Sequence, residues 1–407
     1  MSYTRTGSTG ILILLVISVV VNYIDRGALS VAAPQITAEL KLSTVEMGVL
    51  FSAFFWSYAS FQILGGWLVD RYPVRWVYAG GYFIWSIATL SVGLAGGLNA
   101  LLLTRLFLGA GESVAYPACS KFLAHAFPEE RRGFANALID AGTKVGPALS
   151  ILVGGLFVGH FGWRALFVST GVVSMLWLLP WLAWTKNSEM SASTAIEKGP
   201  GWLEILGKRE TWGTCAGMFA LGYSWYFLLS WLPSYMVKER GLSLADMAVH
   251  GSIPFWVMAA SSLASGWTSD RWIRAGADPA RVRKLFISCG LVLCAAALIP
   301  AAFTRDTSTS LIFITLASLS LGLFTSNVWA ATQTLSGPLA AGRWTAVQNT
   351  IGNLGGVISP IATGFIAQST GSFAMAFVIT AAVLAAGALV YAVMVPQIRP
   401  VAWLPVR

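Results

Sequence analysis

Twelve long apolar stretches dominate this sequence, and they fix its surroundings before any motif is read. They run at residues 11–33, 46–69, 76–96, 99–124, 133–158, 164–185, 212–236, 245–269, 283–304, 310–335, 343–367 and 373–395. Each approaches the ~20 apolar residues an α-helix needs to cross the hydrocarbon core of a bilayer. Charged residues make up 11% of the chain and the mean hydropathy is +0.70. Soluble domains carry about 25% charge, so a soluble globule is excluded. A β-barrel is excluded as well, because its strands alternate over about ten residues and read far more weakly. The expected fold is an all-α integral membrane protein with twelve transmembrane helices.

The first stretch is interrupted by Asp25 and Arg26 and lacks a small-residue cleavage site. It reads as a spanning helix, not a cleavable signal. Placing the N-terminus inside puts 17 Lys and Arg residues in cytoplasmic segments and 5 outside. By the positive-inside rule both termini are then cytoplasmic. That bias also accounts for the net charge of +9, so nucleic acid is not needed to explain it. Cys119, Cys215, Cys289 and Cys294 include no CxxC pair, and His125, His160 and His250 fall near helix ends. No metal or cofactor is expected.

The chain repeats itself. "GGWLVDRYPVR" (65–75) follows the second stretch and "SGWTSDRWIR" (265–274) follows the eighth. Gly66, Trp67, Asp70 and Arg71 recur 200 residues later as Gly266, Trp267, Asp270 and Arg271. Weaker echoes pair Arg132 with Arg343, Gly142 with Gly355 and Pro147 with Pro360. Similar helices in the same order, six later, predict two parallel six-helix bundles, with a substrate site between them near the midplane. The polar stretch 186–209 divides the chain into an N-terminal bundle (1–185), a cytoplasmic linker and a C-terminal bundle (210–407). Within the linker, "GWLEILGKR" reads as a short amphipathic helix or a plain tether. Gly142xxxGly146 and Gly352xxxGly356 predict close helix contacts.

Seven ionisable residues fall inside the stretches: Asp25, Arg26, Arg105, Glu112, Lys121, Asp140 and Lys144. Lys121 lies near a helix end and is expected to reach the interface. A charge at the bilayer centre costs at least ~2.5–3.5 kcal/mol, which makes the other six functional candidates. Arg105 and Glu112 are two turns apart on one face, roughly 10 Å, so each needs a partner from elsewhere. Asp140 and Lys144 have the i,i+4 spacing of a self-neutralising pair. Burial drives a carboxylate towards its neutral form and a nearby guanidinium opposes this, so Asp25 and Glu112 are candidate proton carriers. A guanidinium keeps its charge and offers a planar fork to a carboxylate. Arg26 or Arg105 could therefore bind an anionic substrate. The competing reading is structural ion pairs that fix helix register. In the second half Tyr223, Ser326, Asn327, Gln348, Asn349 and Asn353 offer uncharged hydrogen-bonding groups. Asp70, Arg71, Asp270 and Arg271 are candidate gating residues. Each acid could cap a facing helix or pair with a loop arginine.

Twelve helices with two GxxxDR loops resemble the major facilitator superfamily. "NYIDR" (22–26), "RLFLGAGESVAYP" (105–117), "FPEERRG" (127–133) and the "GW" at 162–163 resemble, more narrowly, its anion:cation symporters. That group includes bacterial carriers of sugar acids and the sialin and vesicular glutamate transporters. The resemblance implies that Asp25 and Glu112 carry protons, Arg26 contacts substrate and Arg105 organises the fourth helix. It also places Tyr23, Tyr58, Ser326 and Asn349 along the cavity. Thr143 stands about where sugar-acid carriers of the group have glutamine, and Asp140 and Lys144 are additional charges. Lys144 as a second anion contact would suit an aromatic or dicarboxylic acid as well. The resulting expectation is a proton-coupled importer of a small organic anion in the inner membrane, acting as a monomer. The alternatives are a proton-independent uniporter or exchanger, and a channel or receptor.

Overall fold

The computed structural model of the chain describes residues 5–126, 129–185 and 200–403, and helix is the only regular structure among them. Nine helical segments are long and apolar enough to cross a membrane. One of them, Ala135–Trp184, is two rods, because Gly162 at φ 78°, ψ 166° breaks it. The helix Val74–Val92 and a rod in two pieces, Leu98–Glu112 and Ala115–Ala126, complete a set of twelve among the described residues.

In chain order the first three helices are Arg5–Glu39, Thr44–Arg71 and Val74–Val92. The fourth is the two-piece rod. The fifth runs from Glu129 through a π-helical turn, Ser150–Gly154, to the break at Gly162, and the sixth continues to Trp184. The seventh, eighth and ninth are Arg209–Lys238, Leu244–Arg274 and Pro279–Phe303. Gly337, at φ 64°, divides Thr307–Thr370 into the tenth and eleventh, and Ala374–Met394 is the twelfth. Helix starts are set by local chemistry. Ser43 and Glu46 form a reciprocal capping box, and Asp278 and Asp306 each accept a backbone N–H of the helix that follows, satisfying donors a helix start leaves open.

Most of the expected linker, 186–199, lies outside the described residues, as do the side chains of Asp70, His125, Arg131 and Arg132. The described end of the linker holds a five-residue helix, Trp202–Leu206, that buries Ile205 and exposes Trp202 and Leu203.

The chain forms two compact units, Met1–Thr194 with Leu229–Ser252, and Ala195–Leu228 with Ile253–Arg407. In the first, the fifth helix crosses the first at Gly146, where an added Cβ would lie 2.5 Å from the Tyr23 Cβ. In the second, the eleventh helix crosses the seventh at Gly355, where a Cβ would meet the Tyr223 nitrogen at 2.4 Å. Tyr23 and Tyr223 are 200 residues apart, the offset of the loop motifs. Packing therefore pairs Gly146 with Gly355, whereas the sequence echo pairs Gly142 with it. The tyrosine contact defines the equivalence, and Gly142 instead meets Val19 and Val20.

Each unit is apolar outside and, in the first, charged inside. Ile63 is 84% exposed and Phe107, Val173 and Leu179 are also exposed, while Asp25 and Glu112 are fully buried. Lys121 differs from expectation: it is buried and donates to the Val69 carbonyl at the end of the second helix. A nearby unsatisfied helix carbonyl competes with the membrane interface for its ammonium.

Candidate functional site

The site begins where the first helix turns its charged residues inward. Gly27 allows the π-helical turn to close against it, since an added Cβ would sit 2.8 Å from Ser150 Cβ and Oγ. The Ser150 hydroxyl donates to the Ile24 carbonyl at 2.9 Å. That turn follows Pro147, and a proline inside a helix removes one ladder bond and crowds the carbonyl four residues back.

The fourth helix supplies the opposing charges. It breaks at Ser113–Val114 because Pro117 cannot donate to the Ser113 carbonyl and its ring crowds it. Glu112 is the last residue before that break. Its Oε2 accepts a hydrogen bond from Arg26 Nε at 2.9 Å, and both side chains are almost wholly buried. The guanidinium carbon of Arg26 lies over the rings of Tyr23 at 4.7 Å, Phe54 at 4.6 Å and Tyr58 at 4.8 Å. Three ring faces and one carboxylate thus hold a single cation. Cation–π contacts are worth about 2 kcal/mol or more when desolvated. Tyr116 extends the aromatic wall, its hydroxyl 3.4 Å from that of Tyr23.

Arg105 lies two turns back, 3% exposed, with Nε and Nη2 lacking a hydrogen-bond partner. The carboxylates of Glu112 and Asp25 face it. Asp25 is fully buried, with the Thr89 hydroxyl beside its carboxylate but no well-aligned hydrogen bond to either oxygen. The first unit thus brings Asp25, Arg26, Arg105 and Glu112 into one cluster, two of each sign. Desolvating such charges is costly, and removing one partner of a buried pair costs about 3–5 kcal/mol.

The remaining candidates divide. Lys144 is buried and meets Asp140 at 2.6 Å, with Asp140 half exposed; the i,i+4 pair is made. Ser326 lies within a hydroxyl ladder, 3.1 Å from Ser265 Oγ and accepting from Asn327 Nδ2 at 3.2 Å. Asn349 is half-buried, while its neighbour Gln348 is fully buried and accepts from Thr332 at 2.7 Å. In the loop motifs Arg71 stacks over Trp67 and Arg271 over Trp267, at 5.7 and 5.3 Å. Asp270 is exposed and makes no ion pair among the described residues, although pairing was one expectation. The tryptophan four residues back lies on the same helix face as each arginine and takes the cation instead.

Sequence reading missed Phe54, Tyr116, Tyr82 and Thr89. Phe54 stands one turn before Tyr58 and could have been found from it. Tyr116 lies inside the motif that marked the fourth helix. Tyr82 and Thr89 are neutral and gave no signal.

Apolar outer faces around a buried ionic cluster, on long apolar helices, are the architecture of a membrane transporter. The chain belongs to the Major Facilitator Superfamily, which its residues 15–360 and 277–406 match. It is 31% identical to the D-galactonate transporter of Escherichia coli O6:H1, over 96% of both chains. It is 30% identical to the hexuronate transporter of Bacillus subtilis, over 96% of this chain and 94% of that one. It is also 30% identical to the "Probable sulfoacetate transporter SauU" of Cupriavidus necator, over 91% and 89%. Among solved structures, a bacterial homolog of the human lysosomal transporter Spinster, inward-facing and occupied, superimposes with a TM-score of 0.83. The match is 20% identical and covers 99% of this chain and 100% of that one. This is a multi-pass membrane transporter, not an enzyme.

Proposed function

We propose that the protein imports a small organic anion together with protons across the inner membrane by alternating access, with both termini cytoplasmic. The observation that carries this reading is the Arg26–Glu112 pair at 2.9 Å inside the cage of Tyr23, Phe54 and Tyr58. Arg26 cannot give its full charge to an incoming carboxylate while Glu112 holds it. Protonation of Glu112 releases the guanidinium to the substrate; loss of the proton reclaims it. Asp25 is the second proton carrier, and Arg105, facing both acids, keeps their charges coupled. Relatives named for galactonate, hexuronate and sulfoacetate transport support a carboxylate or sugar-acid substrate. Tyr58, Ser326 and Asn349 then contact its polar groups. Asp140 and Lys144 tune the site from the fifth helix, and Asp70, Arg71, Asp270 and Arg271 act in gating.

The test is uptake by the purified protein in liposomes. D-galactonate, a hexuronate and sulfoacetate are offered with and without an inward proton gradient. Gradient-driven accumulation of at least one anion is expected, together with alkalinisation of the outside. Accumulation indifferent to the gradient would leave an anion uniporter or exchanger in its place.

A further inference from the structure

The same bundle holds a second polar feature. Ser18, Asn22 and Asp25 recur at i, i+4 and i+7 along one stripe of the first helix, and Tyr78, Tyr82 and Thr89 lie along one stripe of the third. Such spacings return to the same face within about 20–40°. All six residues are buried. The stripes meet: Ser18 Oγ lies 2.6 Å from the Tyr78 hydroxyl, and Thr89 stands beside the Asp25 carboxylate. Ser174 of the sixth helix faces the Tyr82 hydroxyl. The Ser18–Tyr78 end lies about one turn from the start of the third helix at Val74, and Asp25 is about 10 Å further along the first.

The Ser18–Tyr78 end of this track is closed by a short hydrogen bond. Thr89 lies within reach of Asp25, Ser174 of Tyr82 and Asn22 of Glu112, but both polar atoms of Asn22, both carboxyl oxygens of Asp25, and the hydroxyls of Tyr82, Thr89 and Ser174 are buried without a well-aligned hydrogen bond. Buried polar groups are nearly always hydrogen-bonded, and a cluster that the protein leaves unmet is where ordered water resides. Each such water needs two to four polar partners. Three helices supply them here, within one unit of the fold.

We infer that the stripe between the first, third and sixth helices is a hydrated proton path linking Asp25 to the end of the bundle where the third helix begins. It deepens the function proposed above and rests on Asp25 being a proton carrier. A proton leaving the Asp25 carboxyl passes to a water held by Thr89. It then moves along waters held by Asn22, Tyr82 and Ser174 to the Ser18–Tyr78 hydroxyl pair. Each step breaks one O–H bond and forms another, with no change of oxidation state. The charged groups facing Asp25 are Arg105 and Glu112 on the fourth helix, both on the side of the Arg26 pair. Thr89, Tyr82 and Ser18 act as positioning residues for the path.

The test is substrate-free infrared difference spectroscopy of the whole protein in lipid vesicles, with the Asp25 carboxyl band assigned by its loss in Asp25→Asn. After transfer to heavy water, the rate at which that band shifts reports proton exchange. Thr89→Val and Ser18→Ala are expected to slow the exchange at least about tenfold, the equivalent of one lost hydrogen bond. Thr89→Ser, which keeps the hydroxyl, is expected to exchange like the parent. Unchanged exchange in Thr89→Val overturns the path, and so does equal slowing in Thr89→Ser, which would report packing. A parent protein with no titrating Asp25 band overturns the proton-carrier reading itself.

Discussion

At the scale of single residues, the cage around Arg26 makes its geometry matter as much as its charge. Lysine keeps the charge but has neither the flat face that three rings contact nor the fork that meets a carboxylate. Arg26→Lys is expected to weaken substrate binding about tenfold or more, and Arg26→Ala to abolish it, by equilibrium binding of the transported anion. A lysine variant with parental affinity would show that Arg26 acts only as a point charge. Glu112→Gln keeps the shape and removes the titration. Substrate exchange down no gradient is expected to persist while acceleration by external acid disappears, read as the pH profile of uptake against counterflow. Asp25 and Arg26 were legible in the sequence because a charge stands out in an apolar run. Phe54 and Tyr116, which enclose the same cation, were not, since an aromatic residue in a membrane helix has many other uses. The Asp140–Lys144 pair was legible from its i,i+4 spacing, but only the fold shows the Lys144 side chain buried while Asp140 stays half exposed.

Helices and their crossings set a different class of expectation. Gly222 leaves no room for a side chain, because an added Cβ would lie 2.1 Å from the Gly352 carbonyl oxygen. Gly66, by contrast, has nothing within 4 Å. Gly222→Ala is expected to destabilise the protein by about 1–3 kcal/mol, as overpacking does, and Gly66→Ala to leave it unchanged. Thermal unfolding in one detergent compares them, and equal melting temperatures would contradict the contact. The break in the fourth helix yields a functional counterpart. Pro117→Ala restores a donor to the Ser113 carbonyl and straightens the rod beside Glu112. The expected result is an unchanged or higher melting temperature with at least about tenfold slower transport, the scale of a misplaced reacting group. The twelve apolar runs were readable one by one. The π-helical turn at Ser150–Gly154 and the break after Glu112 were not, because a proline in an apolar run marks a disturbed helix without saying whether it bends, bulges or breaks.

For the whole molecule, the bias of Lys and Arg predicts orientation. Reporter fusions at residue 1 and residue 407 are both expected to read cytoplasmic; opposite readings would mean an odd number of crossings. The duplicated loop motif predicted two repeats, and the matching crossings at Gly146 with Tyr23 and Gly355 with Tyr223 give each unit the same internal joint. The duplication does not extend to charge, since the buried Asp25, Arg26, Arg105 and Glu112 all lie in the first unit. By itself the sequence determined that this chain is an all-helical membrane protein, because hydrocarbon admits only backbone that satisfies its own hydrogen bonds. It also determined which few residues hold charge there. Tertiary structure alone decided that Arg26 pairs with Glu112, 86 positions away, and that Asp25 faces a stripe of neutral hydroxyls. Partners on different helices meet through crossing points and kinks, and no spacing along one helix encodes these.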